Sequence, residues 1–365
     1  MINRMQNLTS WIKEKNYSFA FIQSKHNVFY LSKFNSEPHE RLLGLVIFPE
    51  KEPFLICPYM EKESAKISGW EGGIIGYKDS DDVWELLQKA VKERIQEVNS
   101  IAIEKDGLSY SRSEKLLSLF PKTKFASVDE KLQSIRMVKD QNEISILREA
   151  AKLADFGVEV GVHEINKGKT EMEIIATIEY ELKKKGIREM SFSTMVLSGA
   201  KSAEPHGHPG LKKIVPGDFV LFDLGVVFEG YCSDITRTVA YKFVSDQQKH
   251  IYETVLQAQS LSLSKSKPGT RIGEIDKIAR DYITGEGYGE YFTHRIGHGL
   301  GIEVHEFPSM SDNNSDLLYT GMVYTVEPGI YVPSIGGVRI EDDVLITNTS
   351  SECLTSFPKE LQIIK

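Results

Sequence analysis

The stretch FVLFDLGVVFEGYCSDITRTV, residues 219–239, decides how this chain is read. Apolar runs flank a turn at Phe228-Glu229-Gly230, the pattern of two β-strands joined by a tight hairpin. Asp223 falls in the middle of the first apolar run, and strand interiors are depleted in Asp because a carboxylate there loses its hydration. If the turn centres between Phe228 and Glu229, Asp223 and Asp234 are direct cross-strand partners with Cβ atoms about 5 Å apart. Two carboxylates that close repel unless a cation lies between them. The competing reading gives each Asp its own Arg or backbone N–H.

The same oddity recurs downstream. TVEPG (325–329) and VRIEDD (338–343) flank a turn at 333–337, so acidic residues again occupy strands that should be apolar. Arg339 and Glu341 are two apart and share a strand face. Between the two hairpins lies HRIGHGLGIEVHE (294–306), in which His294, His298 and His305 stand among glycines that argue against a helix and for close backbone approach. Solvated edge charges and packed core histidines are the plainer alternatives.

Outside these motifs the chain is ordinary. Its 365 residues suggest two or three domains, and 41 % apolar with 26 % charged residues is globular usage. A net charge of -8 argues against a nucleic-acid binder, and Lys183-Lys184-Lys185 reads as a solvated helix terminus. Cys57, Cys232 and Cys353 are odd in number and far apart, which fits a reducing compartment and no disulfide scaffold. No leader-like segment and no run of ~18 apolar residues is visible, so a cytoplasmic protein with no membrane partner is expected.

Residues 4–15 read as a helix. Short apolar runs at Phe19–Ile22, Val28–Leu31, Leu42–Phe48 and Phe54–Cys57 read as strands. Helical periodicity at Asp81–Val98 and Ser111–Leu119, with strands at 101–103 and 125–128, completes an α/β domain of residues 1–130. Residues 131–365 form the second domain. It opens on a long helical stretch and carries a weak internal repeat, in which KGKTEMEI (167–174) resembles KPGTRIGEI (267–275). Each copy opens a helix that ends near a glycine, Gly186 or Gly285, and Thr170 with Glu173 spells a capping box. Each half then supplies a strand carrying a carboxylate, so two related halves face each other.

These segments resemble the pita-bread metallopeptidases: prolidase, aminopeptidase P and methionine aminopeptidase. The resemblance implies an α+β pita-bread catalytic domain with an internal pseudo-twofold repeat, preceded by an α/β domain like that of prolidases and creatinase. It implies two divalent metal ions held by Asp223, Asp234, His298, Glu327 and Glu341, whose contexts here are FDLG, SDITRT, GHGLG, VEPG and RIED. Four carboxylates would be neutralised by two dications, and hard oxygen donors with one imidazole and no thiolate favour Mn²⁺, with Co²⁺, Fe²⁺ or Zn²⁺ as alternatives. Cys232 shares a face with Asp234 but reads as a small packed hydrophobe rather than a ligand.

The resemblance further implies that His206 and His305 hydrogen-bond the substrate carbonyl, that Glu327 also carries the proton, and that Arg339 orients a ligand. Creatinase lacks the metal ligands, and methionine aminopeptidases lack the first domain. The implied activity is therefore hydrolysis before proline: Xaa-Pro dipeptides (prolidase), or longer peptides (aminopeptidase P). A non-catalytic interaction protein on the same fold is a remote third reading. The loop EPHER (37–41) resembles one in small bacterial prolidases that reaches a partner's active site, which implies a homodimer and substrate contacts from His39 and Arg41. Arg295 matches an arginine that contacts the dipeptide, and His294 and His208 flank the site, where each either contacts substrate or packs.

Overall fold

The computed structural model describes residues 4–165 and 168–365. It divides into two compact units, Met1–Arg136 and Met137–Lys365.

The first unit is built on one mixed six-stranded sheet. The strand order is Gly73–Tyr77, Phe54–Pro58, Gly44–Ile47, Phe19–Ile22, Ser100–Ile103 and Lys124–Ser127. Phe19–Ile22 runs antiparallel to Gly44–Ile47 and parallel to Ser100–Ile103. All four of its residues are buried, which is why it reads as an unbroken apolar run. Leu87 and Val91 of helix Val83–Lys92, and Leu116 of helix Tyr110–Leu119, pack into a core with Phe19, Phe21 and Phe54.

The strand expected at Val28–Leu31 is a helix, Lys25–Ser32. Ser24 is extended and its hydroxyl accepts from the Asn27 amide, and Lys33 closes the far end in the left-handed region. A four-residue apolar run fits one buried helix turn as well as a strand, so the cap decides.

The long helical stretch expected to open the second domain divides into two helices, Asp129–Met137, all but the last residue of which belongs to the first unit, and Gln141–Ile165, which opens the second. The Asp140 carboxylate accepts from the amides of Asn142 and Glu143 and starts the second helix afresh. Helices Gln141–Ile165 and Glu171–Lys184 bury Val158, Ile174 and Ile178 against Phe222 and Leu224 of the first acidic strand. Helices Asp246–Lys265 and Ile272–Gly285 bury Val255, Ile275 and Ala279 against Tyr324 and Val326 of the second. A four-stranded sheet backs the first half and a five-stranded sheet the second.

The internal repeat is real at the level of register. Thr170 and Arg271, each just before its half's second helix, form isolated antiparallel bridges to Lys213 and Leu317. Each bridge partner lies six residues before its half's acidic strand, Phe219–Leu224 or Val323–Val326. Asp223 and Glu327 are then each four residues past that strand's first residue, and Asp234 and Glu341 each immediately precede the return strand, Ile235–Tyr241 or Asp342–Ile346. The capping box at Thr170 and Glu173 forms with both bonds present. Lys167, the first residue of the expected repeat, lies outside the described residues.

The hairpin register differs from the expected one by two residues. Asp223 pairs with Thr236, and Phe228 with Tyr231, so the turn centres between Glu229 and Gly230. Both have positive φ, 48° and 83°. A two-residue hairpin of this kind needs left-handed backbone at both central positions, and centring on Phe228 would put a bulky aromatic there. A two-residue slip preserves the strand face, so both carboxylates still point into one cavity.

Candidate metal centre

The second unit contains a cavity of about 420 Å³ lined by Asp223, Asp234, His298, Glu327, Glu341 and Arg339, with His206, His294, Arg295 and His305 among the remaining wall residues. Residues from five separate segments of the chain meet there. Close backbone packing makes this possible: a Cβ on Gly225 would fall 1.8 Å from the Ser233 carbonyl oxygen, and one on Gly297 1.9 Å from that of Thr325. Larger residues would push the Asp234 and His298 segments away from their neighbours.

Asp234, His298 and Glu341 are buried and offer ligand atoms all within 4.8 Å of one another. His298 Nε2 lies 3.7 Å from Asp234 Oδ2 and 3.5 Å from Glu327 Oε1. Burial, helped by the neighbouring His305, lowers the His298 pKa to about 3, so the ring is neutral near pH 7. Its Nδ1 lies 3.1 Å from the Gly299 carbonyl oxygen. With the proton on Nδ1, Nε2 turns a lone pair toward carboxylates that also carry only lone pairs. Among the described residues, Asp234 Oδ1 and Glu341 Oε1 are buried without a hydrogen-bond partner.

The electrostatics point the same way. Burial raises the carboxyls of Asp234 and Glu341 well above the usual range, and the surrounding carboxylates raise them further. Burial also lifts Glu327 to about 7 against the opposing pull of Arg339. Converging lone pairs, partnerless buried oxygens and mutually repelling acids are the donor set of a divalent cation site. The residues present therefore fit the metal ions that the sequence implies.

Arg339 ties the acidic residues of the cavity together. Its guanidinium donates to Asp223 Oδ2, to Tyr331 Oη at 2.9 Å and to Thr236 Oγ1 at 3.0 Å. The Thr236 hydroxyl in turn donates to Glu341 Oε2 at 2.6 Å. One buried cation thus fixes a carboxylate from each half, Asp223 directly and Glu341 through Thr236. Tyr331 Oη also lies 2.8 Å from His294 Nε2, while His294 Nδ1 lies 2.8 Å from the Arg295 carbonyl oxygen. Burial lowers His294 to about 4, so it is neutral and its hydrogen bonds set one tautomer.

His305 stacks edge-on against His298 with ring centroids 4.1 Å apart. Arg295 is exposed, faces the cavity and donates to Ser309 Oγ at 3.0 Å. His208 is exposed and is not among the residues lining the cavity. Cys232 donates its thiol to the Ile302 carbonyl oxygen at 3.4 Å, and burial pushes its pKa up to about 12, so it packs as a thiol. In the first unit, His39 is exposed with φ 55°, and the Arg41 guanidinium is paired with Asp79 at 2.8 and 3.1 Å.

Sequence reasoning missed Tyr331, Thr236 and the buried Asp343, whose Oδ2 accepts from the Asp234 amide at 3.1 Å. Thr236 stands two residues after Asp234, on the same strand face, which was a usable signal. Tyr331 carried none, since an aromatic in an apolar strand is the ordinary case.

Residues 145–348 match the model of metallopeptidase family M24, and residues 4–138 match the creatinase/prolidase N-terminal domain. The chain belongs to metallopeptidase family M24. Membership makes it a metallopeptidase that uses divalent metal ions, with the pita-bread fold. It is 57 % identical to "Putative dipeptidase YkvY" of Bacillus subtilis (strain 168), over 100 % of both chains. The prolidase from Pyrococcus horikoshii OT3 superposes with a TM-score of 0.90 at 37 % identity, covering 98 % of this chain and 99 % of that one. The X-Pro aminopeptidase from Thermotoga maritima MSB8 gives 0.87 at 33 %, covering 96 % and 99 %. Among the described residues, no helix is long and apolar enough to cross a membrane.

Proposed function

We propose that this metallopeptidase hydrolyses the bond before proline in Xaa-Pro dipeptides, using two divalent metal ions held by Asp223, Asp234, His298, Glu327 and Glu341. The observation that carries the reading is that likeness to a prolidase spans 98 % of the chain, first unit included, while all five ligand types line one cavity. Bound divalent ions supply Lewis acidity, lowering the pKa of water and neutralising charge that develops on the peptide carbonyl. The four carboxylates and one imidazole, with Cys232 held as a thiol elsewhere, favour Mn²⁺.

The chain's own groups do the rest. His206 and His305 on the cavity wall donate hydrogen bonds to the scissile carbonyl, a contribution of roughly 3–4 kcal/mol for a well-placed donor. Glu327 accepts the proton of the attacking water and delivers it to the proline nitrogen. Arg339 holds Asp223 and, through Thr236, Glu341 at fixed spacing. Arg295 faces the cavity as an exposed guanidinium and receives the free C-terminal carboxylate of a dipeptide, which Arg recognises bidentately. His294 fixes that segment through Tyr331 and the Arg295 carbonyl.

We further propose a cytoplasmic homodimer in which the loop bearing His39 and Arg41 completes a second copy's site. The left-handed backbone at His39 holds that loop in an uncommon conformation, in line with a shaped role.

The likeness to an X-Pro aminopeptidase supports a second reading, cleavage of longer peptides. Steady-state hydrolysis of Xaa-Pro against Xaa-Pro-Xaa by the Mn²⁺-reconstituted protein separates the two. Preference for the dipeptide is expected, and a clear preference for the tripeptide overturns the assignment.

A further inference from the structure

Helix Glu171–Lys184 begins with a carboxylate that no water reaches: Glu171 is 0 % exposed. A charge at that depth needs several partners to be tolerated, and Glu171 has four. Oε1 accepts from the Ser198 amide and the Ser198 hydroxyl, both at 2.9 Å. Oε2 accepts from Lys201 Nζ at 2.5 Å and from the Gly210 amide at 2.8 Å.

The position of those partners matters more than their number. Ser198 and Lys201 lie before the Glu204–Pro209 segment, and Gly210 follows it directly. One buried carboxylate therefore clamps both ends of the loop whose middle carries His206. Two backbone bonds reinforce the far end, from Glu171 N to the Lys212 carbonyl at 3.2 Å and from Met172 N to the Gly210 carbonyl at 3.3 Å. Ser202 fixes the near end by accepting from the Gly337 amide at 2.8 Å. Within the loop the backbone bonds are local turns, Glu204 to Lys201 and Gly207 to Glu204. His206 itself is exposed at the cavity wall. Its placement is thus set by where the loop is held at its base.

We propose that Glu171 is a positioning residue for His206: by bridging Ser198 and Lys201 to Gly210, it holds the loop so that the imidazole meets the substrate carbonyl. This deepens the proposed function and rests on His206 contacting substrate. The capping box at Thr170 and Glu173 serves the helix separately, leaving Glu171 free to face the loop. Glutamine cannot replace it, since every partner is a donor and one amide NH₂ would face donors on either side. A displacement of about 1 Å at a catalytic group can cost roughly a hundredfold in rate.

The test is a kinetic double-mutant cycle with Glu171→Gln and His206→Ala, on metal-loaded protein with an Xaa-Pro dipeptide, together with hydrogen exchange over residues 201–210. His206→Ala is expected to lower kcat about a hundredfold. Glu171→Gln is expected to lower it about 10- to 100-fold in the wild-type background and less than about twofold in the His206→Ala background. Amides of residues 201–210 should exchange faster in Glu171→Gln, with those of Phe219–Leu224 unchanged. Should Glu171→Gln fail to fold, Lys201→Met removes one partner only and should show a smaller loss with the same non-additivity. Equal losses in both backgrounds, or unchanged exchange in the loop, overturn the role of Glu171. Full activity of His206→Ala instead removes the reading of His206 on which the proposal stands.

Discussion

Replacing Glu341 with glutamine should shift stability in opposite directions with and without divalent metal. Ligand atoms of Asp234, Glu341 and His298 lie within 4.8 Å of one another. Two like unit charges at that spacing repel by about 3.5 kcal/mol at an effective dielectric of about 20. Proton uptake relieves part of this, because burial and the neighbouring Glu327 and Asp223 push the Glu341 carboxyl well above the usual range. The relief left for glutamine to supply is about 1–3 kcal/mol. Glutamine retains an oxygen for the Thr236 hydroxyl, which donates at 2.6 Å, so that bond is kept. At about 2–4 °C per kcal/mol for a unit of this size, the variant should melt several degrees above wild type in chelator. With free Mn²⁺ at a thousand times its dissociation constant, wild type gains about 4.1 kcal/mol, and a site short of one ligand gains little of it. The order of melting temperatures therefore inverts. Scanning calorimetry of both proteins in EDTA and in Mn²⁺ reads this directly. A variant that is less stable in EDTA would show that Glu341 is not repelled by its neighbours, and a wild type whose melting ignores Mn²⁺ would show that the cavity holds no such ion.

Arg339→Met removes a buried cation from Asp223, Tyr331 and Thr236 at once, and should cost about 3–5 kcal/mol in denaturant unfolding, with Lys a poor substitute because it cannot bridge three partners. His294 should titrate near pH 4 by ring NMR. Because its folded pKa is depressed, it contributes stability above about pH 6.5 that is lost as pH falls through 4, and a midpoint near 6.5 would remove that burial effect. Arg295→Ala should raise KM for Xaa-Pro dipeptides about 10- to 100-fold while changing KM for the corresponding C-terminal amides little; equal losses on both would exclude carboxylate recognition.

The first unit was legible wherever burial was uniform. Phe19–Ile22 is apolar because both faces are covered, and the strand forms where expected. Val28–Leu31 misled because a four-residue run has no period to measure, and the outcome hung on the Ser24 hydroxyl. The acidic strands were legible for the opposite reason. A carboxylate costs too much in an apolar strand unless something local demands it, so Asp223 and Glu327 announced themselves.

The chain alone marked the out-of-place Asp, His and Glu, since such residues in apolar or glycine-rich surroundings are informative one at a time, and the resemblance they carry proposed them as metal ligands. How they meet depends on contacts that exist only in the folded chain. The turn at Glu229-Gly230 set the Asp223 register through backbone handedness that residue counting missed by two. Arg339 reaches Asp223 across 116 positions of chain, and Glu171 closes the His206 loop across 39 at its farthest partner, Gly210. Such contacts leave no mark on a local pattern, because side chains far apart along the chain become neighbours only when the sheets of both halves have closed around the cavity.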